Sequence, residues 1–197
     1  MPHFTRAELE SFRGVEVPDL VGEGIRLVFV GINPGLRTAA TQIHFGNPAN
    51  RFRPALPSAG LLAPSADGLP GMTADDLAEL VRRGVGITNL VRRATARADE
   101  LTTAELVEGA AALEAFVTTH RPRVVAVLGI TAYRTAFRRP GAVDGRQPDD
   151  LGGASLWVVP NPSGLNAHET VASLAAAYAE PARAAGVLPG ASSPGQR

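Results

Sequence analysis

The sequence predicts an α/β fold in which a mostly parallel sheet of about four strands is covered by helices on both faces. Short apolar segments rich in β-branched residues alternate with segments that have helical periodicity and capping signals. The clearest apolar segments lack the apolar–polar alternation of a half-exposed strand, as expected of parallel strands buried on both faces. The 197 residues are enough for one domain with a full core.

The first strand is predicted at 26–31, where an apolar run leads into the sequence GINPG at 31–35. Proline and glycine end the strand there. Asn33 therefore lies at the carboxyl edge of the sheet, which is where open α/β sheets bind their ligands. The following segment, which contains Phe45 and Asn47, has no regular periodicity and is predicted to be a loop.

The helices before the second strand are short. Residues 1–24 are predicted to be a mobile lead-in or a short helix, and 54–60 at best a short helix, since only a first turn tolerates Pro57. Thr73, with Asp76 three residues later, predicts the start of a longer helix that ends at Gly84.

The rest of the chain continues the alternation of strands and helices. We expect strands at 86–91, 123–129 and 156–159. Helices are expected after the capping pair of Thr102 and Glu105, at 131–138 and at 169–178, where Pro181 kinks or ends the last one. A loop is expected at 140–153. We divide the chain into the lead-in of residues 1–24, one domain at 25–186 and a disordered tail at 187–197.

Three asparagines follow three of the predicted strands. Asn33, Asn89 and Asn161 each stand at or just beyond a strand end. Right-handed crossovers bring the carboxyl ends of parallel strands to one edge of the sheet. The topology therefore predicts that these side chains share one site.

The composition excludes several kinds of chemistry. Without cysteine there is no disulfide, thiolate zinc site or iron–sulfur cluster, and without lysine the most common Schiff-base nucleophile is missing. His44, His120 and His168 have no metal-ligand spacing and are interpreted as surface residues, so we expect neither a metal nor a cofactor. No apolar run approaches the roughly 20 residues of a membrane span, and the N-terminal residues do not resemble a signal peptide, so we expect a cytoplasmic protein.

The charges are unevenly distributed although the net charge is zero. One stretch without acids contains Arg82, Arg83, Arg92, Arg93 and Arg97, and another contains Arg37, Arg51 and Arg53. This segregation fits a protein with one face turned to an anion. An ordinary solvated surface explains it equally well.

Four blocks together resemble a known family. They are GINPGL at 31–36, FGNPANRF at 45–52, GITNLV at 86–91 and NPSGL at 161–165. In this order they are similar to the mismatch-specific uracil-DNA glycosylases and thymine-DNA glycosylases, over about 25–179. The resemblance implies a three-layer α/β/α fold and a monomeric, monofunctional enzyme. Such an enzyme extrudes uracil, above all opposite guanine, from double-stranded DNA and hydrolyses its N-glycosidic bond.

The resemblance also implies roles for individual residues. Asn33 would position the attacking water, Phe45 would stack on the extruded base, and Asn161 would stabilise the departing base through its carbonyl edge. Ile32, Thr38 and Asn89 would complete the base pocket, and DNA contacts would come from Ser163, Gly164, Leu165 and Asn166. The uneven distribution of arginine adds Arg51, Arg53, Arg92 and Arg93 as expected phosphate contacts. Leu165 would be an apolar wedge, but Ala167 stands where the bacterial relatives carry an arginine, which weakens the expected recognition of the opposite guanine.

Simpler interpretations remain open. Asn33 could be a turn residue before proline, Phe45 a core residue, Asn161 a helix N-cap, and Arg51 a residue that only ties its loop together. At the level of function, the base range could instead include uracil in single strands, ethenocytosine or deaminated purines. The chain could also be a non-catalytic module that binds damaged DNA or nucleotides, although the pyrophosphate-binding glycine patterns are missing.

Overall fold

The computed structural model describes residues 4–65, 71–164, 166 and 168–188. In these segments five strands form one sheet: β1 (Leu27–Gly31), β2 (Val85–Asn89), β3 (Val124–Leu128), β4 (Gly145–Leu151) and β5 (Ala154–Val159). Their order across the sheet is β2-β1-β3-β5-β4. β1, β2, β3 and β5 run parallel to one another, and β4 pairs antiparallel with β5.

Helices cover both faces of this sheet. They are α1 (Arg6–Glu10), α2 (Leu36–Thr41), α3 (Phe52–Ser58), α4 (Ala74–Arg82), α5 (Thr103–His120), α6 (Ile130–Ala136) and α7 (Val171–Ala184), with a 3-10 turn at Ala98–Glu100. Leu27 and Phe29 pack with α3, α4 and α7, whereas Val28 and Val30 pack with α5 and α6. Successive side chains of a strand point to opposite faces, so an uninterrupted apolar strand supplies both layers of core. The predicted three-layer α/β/α arrangement is confirmed.

The predicted capping signals form in the structure. The hydroxyl of Thr73 accepts a hydrogen bond from the backbone N–H of Asp76, whose carboxylate accepts one from the backbone N–H of Thr73, and Thr102 and Glu105 do the same for α5. The last helix is longer than predicted. Instead of ending before Pro181, α7 continues to Ala184, because Pro181 lies in its final turn with a buried side chain.

The loop predicted at 140–153 is wrong, because it contains β4. The sequence of this strand, GRQPDDL, shows no apolar pattern since only Gln147 and Leu151 are buried. Between Arg146 and Asp150 the pairing register shifts, which accommodates Pro148 at a bulge of an edge strand. The sheet therefore has five strands rather than about four.

The segment after β1 also contains an element that periodicity did not reveal. The six-residue α2 begins after Gly35 and buries Leu36, Thr38 and Ala39. A helix this short has too few turns to show an apolar stripe in sequence.

Residues near the N-terminus extend the sheet edge beside β2. The backbone N–H and C=O of Leu20 exchange hydrogen bonds of 2.8 and 2.9 Å with Ile87, and Val17 is buried. At the other end, Val187 and Leu188 pack against the core, while the remainder of the predicted tail lies outside the described residues. In the described part of the chain, no helix has the length and hydrophobicity of a membrane span.

Candidate functional site

The carboxyl edge of the sheet opens into a cavity of about 510 Å³. Its walls come from the segments that follow β1, β2 and β5. The structure brings Asn33, Asn89 and Asn161 together in these walls. The predicted residues that line the cavity are Ile32, Asn33, Thr38, Phe45, Asn89, Asn161, Ser163 and Gly164.

The amide of Asn33 is held in one orientation. Its Nδ2 donates to the hydroxyl of Thr95 at 2.7 Å and to the carbonyl oxygens of Arg93 and Pro34, both at 3.2 Å. Among the described residues no hydrogen-bond donor is directed at Oδ1. The side chain therefore offers a fixed acceptor to a molecule in the cavity, and a water molecule is a suitable donor.

Thr95 is a functional residue that the sequence did not reveal. It is 1% exposed, and its hydroxyl donates to the carbonyl of Arg97 at 2.7 Å. The hydroxyl has only one hydrogen to donate, and this bond uses it. Its oxygen therefore acts as the acceptor in the hydrogen bond from Asn33 Nδ2. Thr95 reaches Asn33 because its backbone N–H bonds the carbonyl of Pro34 at 3.2 Å. A threonine within an arginine-rich stretch carries no sequence signal of such a role.

Phe45 is placed for stacking. Its ring stacks on Phe52 with a centroid distance of 4.1 Å and an interplanar angle of 29°. Phe52 in turn packs edge-on against Phe29 in the core. Because Phe52 covers one face of Phe45 and the residue lines the cavity, the opposite face is available to a planar ligand. The φ of Phe45 is +53°, an unfavourable value for a bulky residue that tends to occur at binding sites.

Gly31 allows two of these side chains to converge. A Cβ at this position would overlap Oδ1 of Asn89 and would lie 3.6 Å from Cζ of Phe45. Asn89 is the register partner of Gly31 on the neighbouring strand. The glycine at the end of β1 is therefore required by close packing in the cavity wall.

Asn161 presents a donor to the cavity. Its Oδ1 accepts from the backbone N–H of Ser163 at 2.9 Å, and no described residue accepts from its Nδ2. The phenol of Tyr178 donates to the carbonyl of Pro160 at 3.0 Å and so anchors this loop to α7. The side chain thus shapes a turn, as the simpler interpretation holds, and also leaves an amide N–H group for a ligand.

Two arginines predicted to contact DNA form bonds within the protein. Arg53 is 7% exposed and forms an ion pair of 3.0 Å with Asp76, which withdraws it from the DNA-contacting set. The guanidinium of Arg51 donates to the carbonyl oxygens of Ser163 and Asn166 at 2.7 and 2.5 Å, and also to that of Glu169. Arg51 therefore ties its loop to Ser163, Asn166 and Glu169, and its contact with DNA stays a prediction.

The arginines after β2 are paired with acids from elsewhere in the chain. Arg92 lies 3.1 Å from Asp19, and Arg93 lies 2.5 Å from Glu105. The hydrogen bonds from Arg93, together with those from Thr102, hold the pKa of Glu105 at about 2. These pairs remove the separation of charge that the sequence suggested. Both arginines are partly exposed, and their contact with DNA stays a prediction.

Arg97 is a rim cation that the sequence analysis did not assign to the site. It lines the cavity with a side chain that is 68% exposed and pairs with Asp99 at 2.6 Å. Asn166, by contrast, holds the loop, since its Nδ2 donates to the carbonyl of Asn161 at 3.1 Å. Leu165 and Ala167, the expected wedge and the departure from the family pattern, lie outside the described residues.

The interpretation of His44 as a surface residue is wrong. Its ring is 4% exposed and lines the cavity, and Nε2 is 2.9 Å from the carbonyl of Pro18. Burial lowers the pKa of His44 below its ordinary value. His120 and His168 are exposed, as predicted. The described segments contain no group of three or more His, Cys, Asp or Glu residues that could hold a metal ion.

One comparison with known proteins identifies the family, and a second identifies the fold. A family model described as the uracil DNA glycosylase superfamily matches residues 18–181. The chain is also similar to a solution NMR structure from Methanosarcina acetivorans that is described as a putative uracil DNA glycosylase. The TM-score is 0.56 at 18% sequence identity, and the similarity covers 86% of this chain and 97% of the other. At this identity the second comparison establishes the fold alone.

Proposed function

Because the chain belongs to the uracil DNA glycosylase superfamily, we propose that it is a monofunctional DNA glycosylase that removes uracil from DNA. The enzyme extrudes the nucleotide into the cavity and hydrolyses the bond between the base and the sugar. The products are free uracil and an abasic site, the starting point of base excision repair.

The observation that carries this proposal is the fixed amide of Asn33. Three acceptors hold its Nδ2, so Oδ1 accepts a hydrogen bond from a water molecule and directs a lone pair of that water towards the sugar. A carboxamide is too weak a base to take the proton. The amide therefore orients the water, while the developing positive charge on the sugar makes the attack favourable.

Phe45 and Asn161 suit the departing base. Stacking on one aromatic ring contributes roughly 1–3 kcal/mol per base and requires no particular base identity. The Nδ2 of Asn161, which bonds no described residue, can donate to a carbonyl oxygen of uracil, on which negative charge accumulates as the bond breaks. These two contacts position the base and stabilise it as a leaving group.

The composition supports hydrolysis rather than a covalent amine mechanism. The chain contains no lysine, so the most common Schiff-base nucleophile is missing. Water is then the nucleophile, and no covalent enzyme–DNA intermediate forms. The reaction leaves the sugar–phosphate backbone intact.

We further assign the enzyme to the mismatch-specific branch, with uracil opposite guanine as the preferred substrate. The four sequence blocks support this assignment. A mispaired base also lowers the free energy of extrusion, which otherwise costs a few kcal/mol. Ala167 in place of the family arginine implies that the opposite base is discriminated weakly.

A cleavage assay with Asn33→Ala tests the proposal. We expect wild-type protein in EDTA to release uracil from a G:U duplex, with strand breakage appearing only after heating in alkali. The variant should lose at least about 10²-fold in single-turnover rate, by analogy with loss of one preorganised polar group. It should retain wild-type affinity for a duplex with non-cleavable 2′-fluoro-deoxyuridine.

Two results would contradict the proposal. A wild-type protein that releases no uracil from duplexes or single strands would exclude the activity. An Asn33→Ala variant that cleaves at the wild-type rate would show that the water is positioned elsewhere.

A further inference from the structure

His44 places a nitrogen at the cavity wall that the proposed reaction does not yet use. Nε2 bonds the carbonyl of Pro18, and Nδ1 has no hydrogen-bond partner among the described residues. The ring is 4% exposed and lines the cavity, so the cavity is where Nδ1 can find a partner.

The hydrogen bond to Pro18 fixes what Nδ1 can do. A carbonyl oxygen only accepts, so Nε2 must carry a proton, and in a neutral imidazole the other nitrogen is then an acceptor. The charged group that acts on His44 is Asp19, which is itself paired with Arg92. Burial outweighs the attraction of Asp19 and lowers the pKa of His44, which keeps the ring neutral near pH 7.

Deamination changes the hydrogen-bonding character of a base at one ring nitrogen. N3 of cytosine is an acceptor, whereas N3 of uracil carries a proton and donates. The same change occurs at N1 when adenine becomes hypoxanthine. A fixed acceptor therefore pairs with the deaminated base and opposes the lone pair of the parent base.

We propose that Nδ1 of His44 accepts the ring N–H of a deaminated base and so makes His44 a specificity-determining residue. This inference rests on the proposed glycosylase function. Asn33 and Asn161 do not supply this acceptor, because Oδ1 of Asn33 is assigned to the water and Oδ1 of Asn161 already accepts from the backbone N–H of Ser163. The bond to Pro18 holds the His44 ring in the orientation that leaves Nδ1 as an acceptor.

Two variants distinguish the contribution of Nδ1 to binding from that of Nε2. In His44→Gln, the side-chain amide can still donate to Pro18, but no acceptor remains at the Nδ1 position. In His44→Asn, Oδ1 or Nδ2 can occupy the Nδ1 position, and the bond to Pro18 is lost. Binding is measured on single strands that contain one 2′-fluoro-deoxyuridine or one 2′-fluoro-deoxycytidine, because single strands remove the contribution of base pairing.

Wild-type protein should bind the uridine strand more tightly than the cytidine strand. In His44→Gln the uridine strand should bind about tenfold more weakly, since its buried N–H loses an acceptor. In His44→Asn the uridine strand should keep most of its affinity, while the cytidine strand should bind more tightly because the amide can turn and donate. If His44 acted only through its bond to Pro18, the result would be the reverse. The glutamine variant would then resemble wild type, and the asparagine variant would bind the uridine strand more weakly.

A His44→Gln variant with the wild-type ratio of the two affinities would overturn the inference. If this variant does not fold, the asparagine variant decides: unchanged cytidine affinity would overturn it. The proposed function fails separately, when wild-type protein cleaves no uracil-containing strand, whatever the binding ratio is.

Discussion

At the scale of single residues, one hydroxyl determines which way the Asn33 amide faces. The hydroxyl of Thr95 donates a hydrogen bond to the carbonyl of Arg97 and accepts one from Nδ2 of Asn33. The oxygen of Asn33 is thereby turned to the cavity, where a water molecule can bind. Thr95 is a positioning residue because it acts through Asn33.

We expect Thr95→Val to cleave uracil-containing DNA about tenfold more slowly or worse, which corresponds to about 1.4 kcal/mol for a lost acceptor. Binding of the non-cleavable duplex should not change, because the base pocket is intact. Thr95→Ser keeps the hydroxyl and should restore the rate. Single-turnover rates and duplex affinities measure the two effects separately, and equal rates for the valine and serine variants would contradict the assignment.

At the scale of elements, the N-terminus of α5 supports the loop that carries Thr95. Glu105 caps α5 by accepting from the backbone N–H of Thr102, and it also pairs with Arg93. The carbonyl of Arg93 is one of the acceptors of Asn33 Nδ2. A single carboxylate thus links the start of a helix to the segment that orients the amide.

The pKa of Glu105 predicts a loss of stability in acid. The folded pKa of about 2 lies below the ordinary value of 4.5, so the ionised form is favoured by folding. This contribution is complete above pH 4.5 and is lost as the pH falls through about 2. Chemical denaturation should show that the free energy of unfolding decreases less between pH 7 and pH 2 for Glu105→Gln than for wild type.

Glu180→Gln is a suitable control for that experiment. Glu180 is also ion-paired, with Arg183 at 2.6 Å, but it caps no helix. Its substitution should leave the decrease in the free energy of unfolding between pH 7 and pH 2 close to that of wild type. If Glu105→Gln and Glu180→Gln lost the same stability in acid, the capping network around Glu105 would not be the cause of that loss.

At the scale of the whole molecule, zero net charge limits how DNA can be attracted. Arg97 is an exposed cation in the cavity wall, in the segment that follows β2. Arg139 offers a matched comparison near the opposite sheet edge, since it too pairs with an aspartate, Asp149, at 2.6 Å and is 62% exposed. Position relative to the cavity is the main difference between the two residues.

We expect Arg97→Ala to weaken DNA binding and to reduce the slope of log affinity against log salt by about 0.9, the value for one phosphate contact. Arg139→Ala should leave both affinity and slope unchanged. The preference among bases should be the same in both variants, because phosphate contacts carry no sequence information. Fluorescence titrations at several salt concentrations measure the slope, and equal slopes for the two variants would remove Arg97 from the DNA-binding face.

The sequence by itself determined the layers of the fold and the edge at which the cavity lies. Apolar runs, capping boxes and strand ends are local signals, so β1, β3, α4 and α5 could be predicted from neighbouring residues alone. The convergence of Asn33, Asn89 and Asn161 followed as well, because the handedness of the crossovers leaves one arrangement.

Only the tertiary structure decided how the side chains around that cavity are used. β4 was hidden because an edge strand with a bulge needs little apolar sequence. Partners distant in the chain buried Arg53 against Asp76 and paired Arg92 with Asp19. His44 became a cavity residue for the same reason, through its contact with Pro18. Burial, ion pairing and the orientation of an amide depend on residues that folding brings together, and no local pattern specifies them.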